Sequence, residues 1–189
     1  MRLLFLFVLA ACSDRGLEAE QAFFNADTSS PRMIVFFSSG CPACDTGSAA
    51  LQQTLATLPG PLAVIAVWEP IFADDPPPSR RMLANLSDPR VHQLWAPSHR
   101  MSAALRAAEL AHPGSPTQAR TRTNDDPEGI MYDTVVIFGP GVRWGATLPP
   151  PDHLDIGLAA SLPTVREQLA AFRPTSGSPG RDRSSTGSL

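Results

Sequence analysis

The sequence predicts a single α/β domain, and three observations carry that reading. At 189 residues the chain is about one domain long on a prior of ~100 to 200 residues per domain. Hydrophobic residues make up 43% of it and charged ones 17%, enough apolar matter for a core and too little charge for a disordered polyelectrolyte. Two wholly apolar runs, Met33 to Phe37 and Leu62 to Trp68, flank a stretch with helical spacing. That is the pattern of a strand-helix-strand unit with parallel strands.

Met1-Arg2 opens an apolar run, Leu3 to Ala11, that closes as Leu9-Ala10-Ala11-Cys12. A positive start, a short apolar stretch and small residues mark a secretory signal. The run is far short of the about 20 residues that a membrane-spanning helix needs. Leu-Ala-Ala-Cys resembles the lipobox of bacterial lipoproteins. The resemblance implies a lipoprotein signal peptide over residues 1–11, a mature chain beginning at Cys12, and acylation of that cysteine with palmitate-type chains as the membrane attachment. Ser13 after the cysteine leans, by resemblance to Gram-negative sorting rules, toward the outer membrane, facing the periplasm. The plainer alternative is an ordinary cleaved signal in which Cys12 is incidental. With Cys12 acylated, Cys41 and Cys44 are the pair left to form a disulfide, in a cell envelope that permits one.

All 15 basic residues are Arg, against 18 acidic ones, for a net charge of -3. Without a basic surplus, nucleic-acid binding is not expected, and any membrane attachment would run through lipid rather than charge. The absence of Lys excludes Schiff-base and P-loop chemistry.

Residues 12–30 read as a tether with an optional short helix around Ala22-Phe23-Phe24. Met33 to Phe37 is a buried strand stopped by Ser38-Ser39-Gly40. Ala50, Leu51, Thr54, Leu55 and Leu58 recur at helical spacing until Pro59-Gly60-Pro61, so Ala43 to Leu58 is a helix. Leu62 to Trp68 is the second buried strand, which puts Ser38 to Cys44 and Trp68-Glu69 on one sheet edge. Pro76-Pro77-Pro78 marks a surface excursion, followed by a short helical piece around Ser79 to Leu86. Ser98 to Leu110 is helical and ends at His112-Pro113-Gly114, and Ser115 to Gly129 is a polar, breaker-rich loop. Thr134 to Phe138 and Val142 to Thr147 flank Gly139-Pro140-Gly141 as a β-hairpin with a three-residue turn. Thr164-Val165-Arg166-Glu167 has capping-box form, so a last helix closes the domain near Arg173. In residues 174–189, Pro, Gly, Ser and Thr are 12 of 16, a tail expected to be disordered.

The chemistry concentrates at Cys41-Pro42-Ala43-Cys44. Its place at a strand-to-helix junction puts Cys41 at the helix start and Pro42 in the first turn, where a missing N–H costs nothing. Unpaired N–H groups and the helix dipole there favour the thiolate. Cys44, one turn further in, is shielded and can resolve a mixed disulfide on Cys41. This motif in this placement resembles the thioredoxin fold, over residues 31–173. The resemblance implies a three-layer α/β/α domain with a central mixed sheet, acting as a thiol-disulfide oxidoreductase on protein thiols and disulfides of the envelope, without a cofactor. Thioredoxins carry Trp before the first cysteine, a buried acid in the preceding strand and a cis-Pro before the hairpin. Here those places hold Gly40, the apolar Met33 to Phe37, and Tyr132-Asp133. The stretches Asp88 to Trp95, Tyr132-Asp133 and Phe138 to Gly145 also resemble a little-characterised bacterial branch of thioredoxin-like proteins.

A thioredoxin-like order sets Thr134 to Phe138 antiparallel to the central strand, bringing Asp133 to the cysteine edge. Asp133, with Glu69 as competitor, is the candidate acceptor of the Cys44 proton; the duller reading of Asp133 is a loop cap. Pro42, Trp68 and Tyr132 are candidate groove residues, although tryptophans are more often core. No second C-x-x-C or H-x3-H supports zinc. A copper or other soft-metal binding or delivery site, combining Cys41 and Cys44 with Met101 and the scattered His92, His99, His112 and His153, is the rival reading, and a redox-inert interaction domain is the third.

Overall fold

The computed structural model describes residues 16–113 and 129–172. The expected signal 1–11, Cys12, all but Gly129 of the expected loop Ser115 to Gly129, and the tail 174–189 lie outside the described residues. In chain order the elements are α1 (Glu18–Asn25), β1 (Arg32–Phe37), α2 (Pro42–Thr57), β2 (Ala63–Trp68), α3 (Arg80–Ala84), β3 (Val91–Trp95), α4 (Arg100–Ala111), β4 (Thr134–Phe138), β5 (His153–Ile156) and α5 (Leu158–Ala171).

The five strands form one sheet in the order β3-β2-β1-β4-β5. β1, β2 and β3 run parallel, while β4 is antiparallel to β1 and β5 to β4. Alternate residues of each strand feed opposite cores. Met33, Val35 and Phe37 of β1 pack with Leu51 and Leu55 of α2 and Leu158, Leu162 and Val165 of α5. Ile34 and Phe36 pack the other way, with Phe24 of α1 and Met101 and Leu105 of α4. Both faces of β1 are therefore covered and every residue in it is buried, which is why it reads as an unbroken apolar run. This is a three-layer α/β/α domain with a central mixed sheet.

The one charged residue in β1 is held by its own partners. Arg32 is 1% exposed; its guanidinium donates to the carbonyls of Thr28, Ser30 and Val142 and lies 4.9 Å over the Phe24 ring.

The topology collects three helix N-termini at one sheet edge. Phe37 pairs with Trp68 at the ends of β1 and β2, and Trp68 with Trp95 at the end of β3. Thr134 at the start of β4 pairs with Ile156 at the end of β5. The helices α2, α4 and α5, which follow β1, β3 and β5, therefore all begin at that edge, as do the turn after Phe37 and the residues Glu69 and Asp133.

The structure differs from the sequence reading in four places. Residues 18–25 form α1, whose Phe24 is fully buried, so this segment belongs to the packed domain rather than to a tether. Val91–Trp95 is an edge strand with every residue half-buried; with no buried face to impose alternation, its sequence carries no strand signal. The hairpin partner of β4 is His153–Ile156, not Val142 to Thr147. The turn and the latter segment bond elsewhere: Gly141 N–H donates to Thr28 O at 2.7 Å, and Trp144 N–H to Asn25 Oδ1 at 2.9 Å. Trp144 meets Phe24 edge-on at 5.8 Å, so burial of the indole against α1 displaces the pairing that the Gly-Pro-Gly turn implied. Finally, the last helix starts at Leu158, ahead of the Thr164 capping box, with Pro163 inside it. An internal proline disfavours helix, but burial of Leu158, Leu162, Val165 and Leu169 on one face offsets it.

Candidate functional site

Cys41 is the N-cap of α2, with extended backbone at φ -103 and ψ 108, and Pro42 follows at the first helical position. Its Sγ accepts the Cys44 N–H at 3.2 Å, so the sulfur takes the place that a Ser or Asp oxygen fills in an ordinary cap. Both thiols are free in this structure. They differ in access. Cys41 is 8% exposed and lines a cleft, whereas Cys44 is 0% exposed.

Cys44 Sγ accepts the Ser38 N–H at 3.4 Å, and the Asp133 N–H is a second backbone dipole that favours its anion. Burial first, then the hydrogen bond with Cys41, pushes the Cys44 thiol far above the usual range, and the two N–H groups oppose that rise. That second dipole exists because position 133 is not proline, which has no N–H.

Asp133 sits at φ 48, a left-handed conformation that aspartate tolerates better than most residues. The bend turns its carboxylate onto α5, where Oδ1 accepts the Leu158 N–H at 3.0 Å. The same Oδ1 lies 3.6 Å from the point where a side chain on Gly47 would begin. Gly47 is one turn beyond Cys44 on α2, so the carboxylate stands beside the buried sulfur's own helix face. Burial raises the carboxyl group above its ordinary value, against the Leu158 N–H, which lowers it.

Glu69 goes the other way. It is fully buried, and its carboxylate accepts the Ser102 hydroxyl and, at 3.3 Å, the Ser102 N–H. Ser102 Oγ in turn accepts the Met131 N–H at 2.8 Å. Glu69 is thus a cap for α4, whose N-cap His99 has no capping side-chain bond. Trp68 and Glu69 are adjacent and point to opposite layers. The expectation that Glu69 competes for the cysteine proton places its backbone rightly, but its side chain faces α4.

Trp68 is 0% exposed, stacks on Phe37 at 4.8 Å and donates its Nε1–H to Gln93 Oε1 at 3.1 Å. It belongs to the core beneath the cysteines and cannot line a groove. Pro42 is exposed and Tyr132 half-buried, and both lie at the site.

Two further residues shape the turn. Asp75 Oδ2 accepts the Ser38 hydroxyl at 3.1 Å and the Ile71 N–H at 2.8 Å, and Ser38 Oγ accepts the Gly40 N–H at 3.2 Å. A side chain on Gly40 would begin 2.5 Å from Asp75 Oδ1. The space beside Gly40 is therefore filled from the 70–76 loop. Acidic residues after a strand are too common for the sequence to single out Asp75.

The cleft beside Cys41, about 300 Å³, runs between the cysteine turn and α3 and includes Ser39, Asp45, Arg81 and Met82. A second cleft of about 270 Å³ lies at the opposite sheet edge against Leu58, Leu62 and Phe172. Its one ionic group, Arg90, is committed to Asp88 and to the carbonyls of Leu55 and Leu58 at the end of α2, which leaves it no chemistry to offer.

No group of three or more His, Cys, Asp or Glu side chains that could hold a metal occurs among the described residues. Met101 is buried in the α4 layer. The rings of His92, His99 and His112 are engaged by Phe23, Pro70 O and Ala108 O. The donors that a soft-metal site would add to the two sulfurs are not brought to them. No helix among the described residues is long and apolar enough to cross a membrane.

No family model and no curated protein matches the chain. Among solved structures, that of MTB dsbF in its mixed oxidized and reduced forms is similar at 14% identity and a TM-score of 0.41, over 77% of this chain and 82% of that one.

Proposed function

We propose that the protein is a thiol-disulfide oxidoreductase in which Cys41 attacks and Cys44 resolves. The observation that carries this reading is the arrangement of one sulfur lining a cleft at a helix start, accepting the Cys44 N–H, with the fully buried Cys44 sulfur one turn behind it. Attack of the Cys41 thiolate on a disulfide R–S–S–R forms Cys41–S–S–R and releases one thiolate. Cys44 then attacks Cys41 Sγ, closing the intramolecular disulfide and releasing the second thiolate, so that two electrons leave the dithiol.

Resolution requires Cys44 to lose its proton in a site that disfavours its anion. Asp133, raised by burial and with its carboxylate beside Gly47, one turn on from Cys44, accepts that proton, while the Ser38 and Asp133 N–H groups hold the charge that develops on sulfur. The lipobox-like Leu9 to Cys12 supports placing this chemistry in the envelope on an N-terminal lipid; Cys12→Ser would then abolish acyl labelling and membrane fractionation.

Trapping tests the assignment. With Cys44→Ser, bis(2-hydroxyethyl) disulfide leaves a stable mixed disulfide on Cys41, whereas Cys41→Ser leaves Cys44 unmodified in the native state. Equal labelling of either lone cysteine overturns the division of roles. The reduction potential then gives the direction, about -120 mV for an oxidant and about -270 mV for a reductant.

A further inference from the structure

We infer that the cleft between the cysteine turn and α3 is a binding site for a low-molecular-weight zwitterionic disulfide of the cystine type, one that presents an ammonium and a carboxylate close to its sulfur. The inference rests on the dithiol reading and names its substrate class.

Cys44 is sealed, so a partner sulfur reaches the pair only where Cys41 lines the cleft. At about 300 Å³, the cleft is at the small end of the range for ligand sites. The far side of the turn offers less room. There Asp133 folds back onto Leu158, and Tyr132 packs against the core.

The cleft carries one acid and one base. Asp45 is four residues after Cys41 on α2, so the two side chains are neighbours on one helix face. Asn85 Nδ2 donates to Asp45 Oδ1 at 2.8 Å and fixes it. Asp45 Oδ2 stands 3.8 Å from a guanidinium nitrogen of Arg81, whose side chain is 84% exposed. This is a loose pair between a held carboxylate and an exposed guanidinium. A half-cystine joined to Cys41 through sulfur has its α-carbon two bonds from that sulfur. Its ammonium can meet Asp45, and its carboxylate can take the Arg81 fork. The opposite wall is fixed because Ser38 and Ser39 are bonded to Asp75 and Pro76 O. The products are two molecules of the amino-acid thiol and the Cys41–Cys44 disulfide, with the electrons supplied by the dithiol.

The test mixes the reduced protein at neutral pH with four disulfides: L-cystine, cystamine, 3,3′-dithiodipropionate and bis(2-hydroxyethyl) disulfide. Each rate of dithiol oxidation, read by alkylation and mass, is divided by the rate at which the same disulfide oxidises free dithiothreitol. L-cystine is expected to exceed the neutral disulfide by about tenfold, the scale that two exposed ion pairs can support. Arg81→Gln should collapse the ratio of dithiodipropionate to the neutral disulfide, and Asp45→Asn that of cystamine. Equal normalised rates for all four overturn the inference while leaving the dithiol chemistry standing, as does a preference that survives both substitutions. Failure of every disulfide to oxidise a protein whose Cys41 still alkylates overturns both.

Discussion

Asp133 Oδ1 accepts the Leu158 N–H at 3.0 Å, joining the residue just before β4 to the first turn of α5. Helix α5 has Gly157 as its N-cap and no side-chain cap of its own, and the backbone of Asp133 adds a second tie, accepting the Gly157 N–H at 2.7 Å. Asp133→Ala should cost about 1 kcal/mol or more in urea unfolding, through loss of the cap. Asp133→Asn keeps an acceptor and should leave stability nearly unchanged. Its effect should appear instead in resolution of a Cys41 mixed disulfide, which slows near neutral pH and loses the rise in rate that ionisation of the Asp133 carboxyl gives the wild type. An unchanged resolution rate would return Asp133 to the role of cap.

Glu69 governs a pH dependence of stability. Burial holds its carboxyl above the ordinary value in the folded protein, whereas the unfolded value is about 4.3. Between those two values the native state retains a proton that the unfolded state has lost. Stability therefore falls as pH rises through that window, and the penalty is complete above the folded value. Glu69→Gln retains an acceptor for Ser102 without a buried charge. Urea unfolding from pH 4 to 8 should show the wild type losing stability relative to this variant as pH rises; parallel curves would show that Glu69 contributes no linkage.

Gly40 and Asp75 should be coupled. A methyl group on Gly40 would start 2.5 Å from Asp75 Oδ1, so Gly40→Ala must move that carboxylate off Ser38 and the 71–72 amides. A cost of about 1 to 3 kcal/mol is expected, as for other overpacked sites. Adding Gly40→Ala to an Asp75→Gly background should cost much less. A double-mutant cycle that closes without an interaction energy would show that the turn relaxes freely.

Trp68 should behave as core. Trp68→Ala is expected to cost about 3 to 5 kcal/mol. Trp68→Phe, measured under conditions where it remains folded, should leave the KM for a disulfide substrate unchanged. A large KM change at constant kcat would instead place the indole in the substrate groove.

What the sequence determined by itself is what short-range pattern encodes. The apolar runs at Met33 to Phe37 and Leu62 to Trp68 had to be covered on both faces, and the spacing of Ala50 to Leu58 had to be helical. The junction between them therefore put Cys41 at a helix start and Cys44 one turn inside. The antiparallel β4 and the arrival of Asp133 at the cysteine edge followed once the fold resemblance was accepted, and the register bears out that placement.

Only the tertiary structure decided which partner each remaining group takes. Trp144 left the expected hairpin because Phe24 and the side chains of α1 gave it burial and hydrogen bonds from more than a hundred positions away. Trp68 and Glu69 lie on opposite faces because strand residues alternate, and the layer each entered depended on which helices cover the sheet. The Asp75 carboxylate beside Gly40 and the Asp45–Arg81 pair beside Cys41 join segments separated by loops. No periodicity records such contacts, because they stem from packing whole elements together rather than from the order of residues within any one of them.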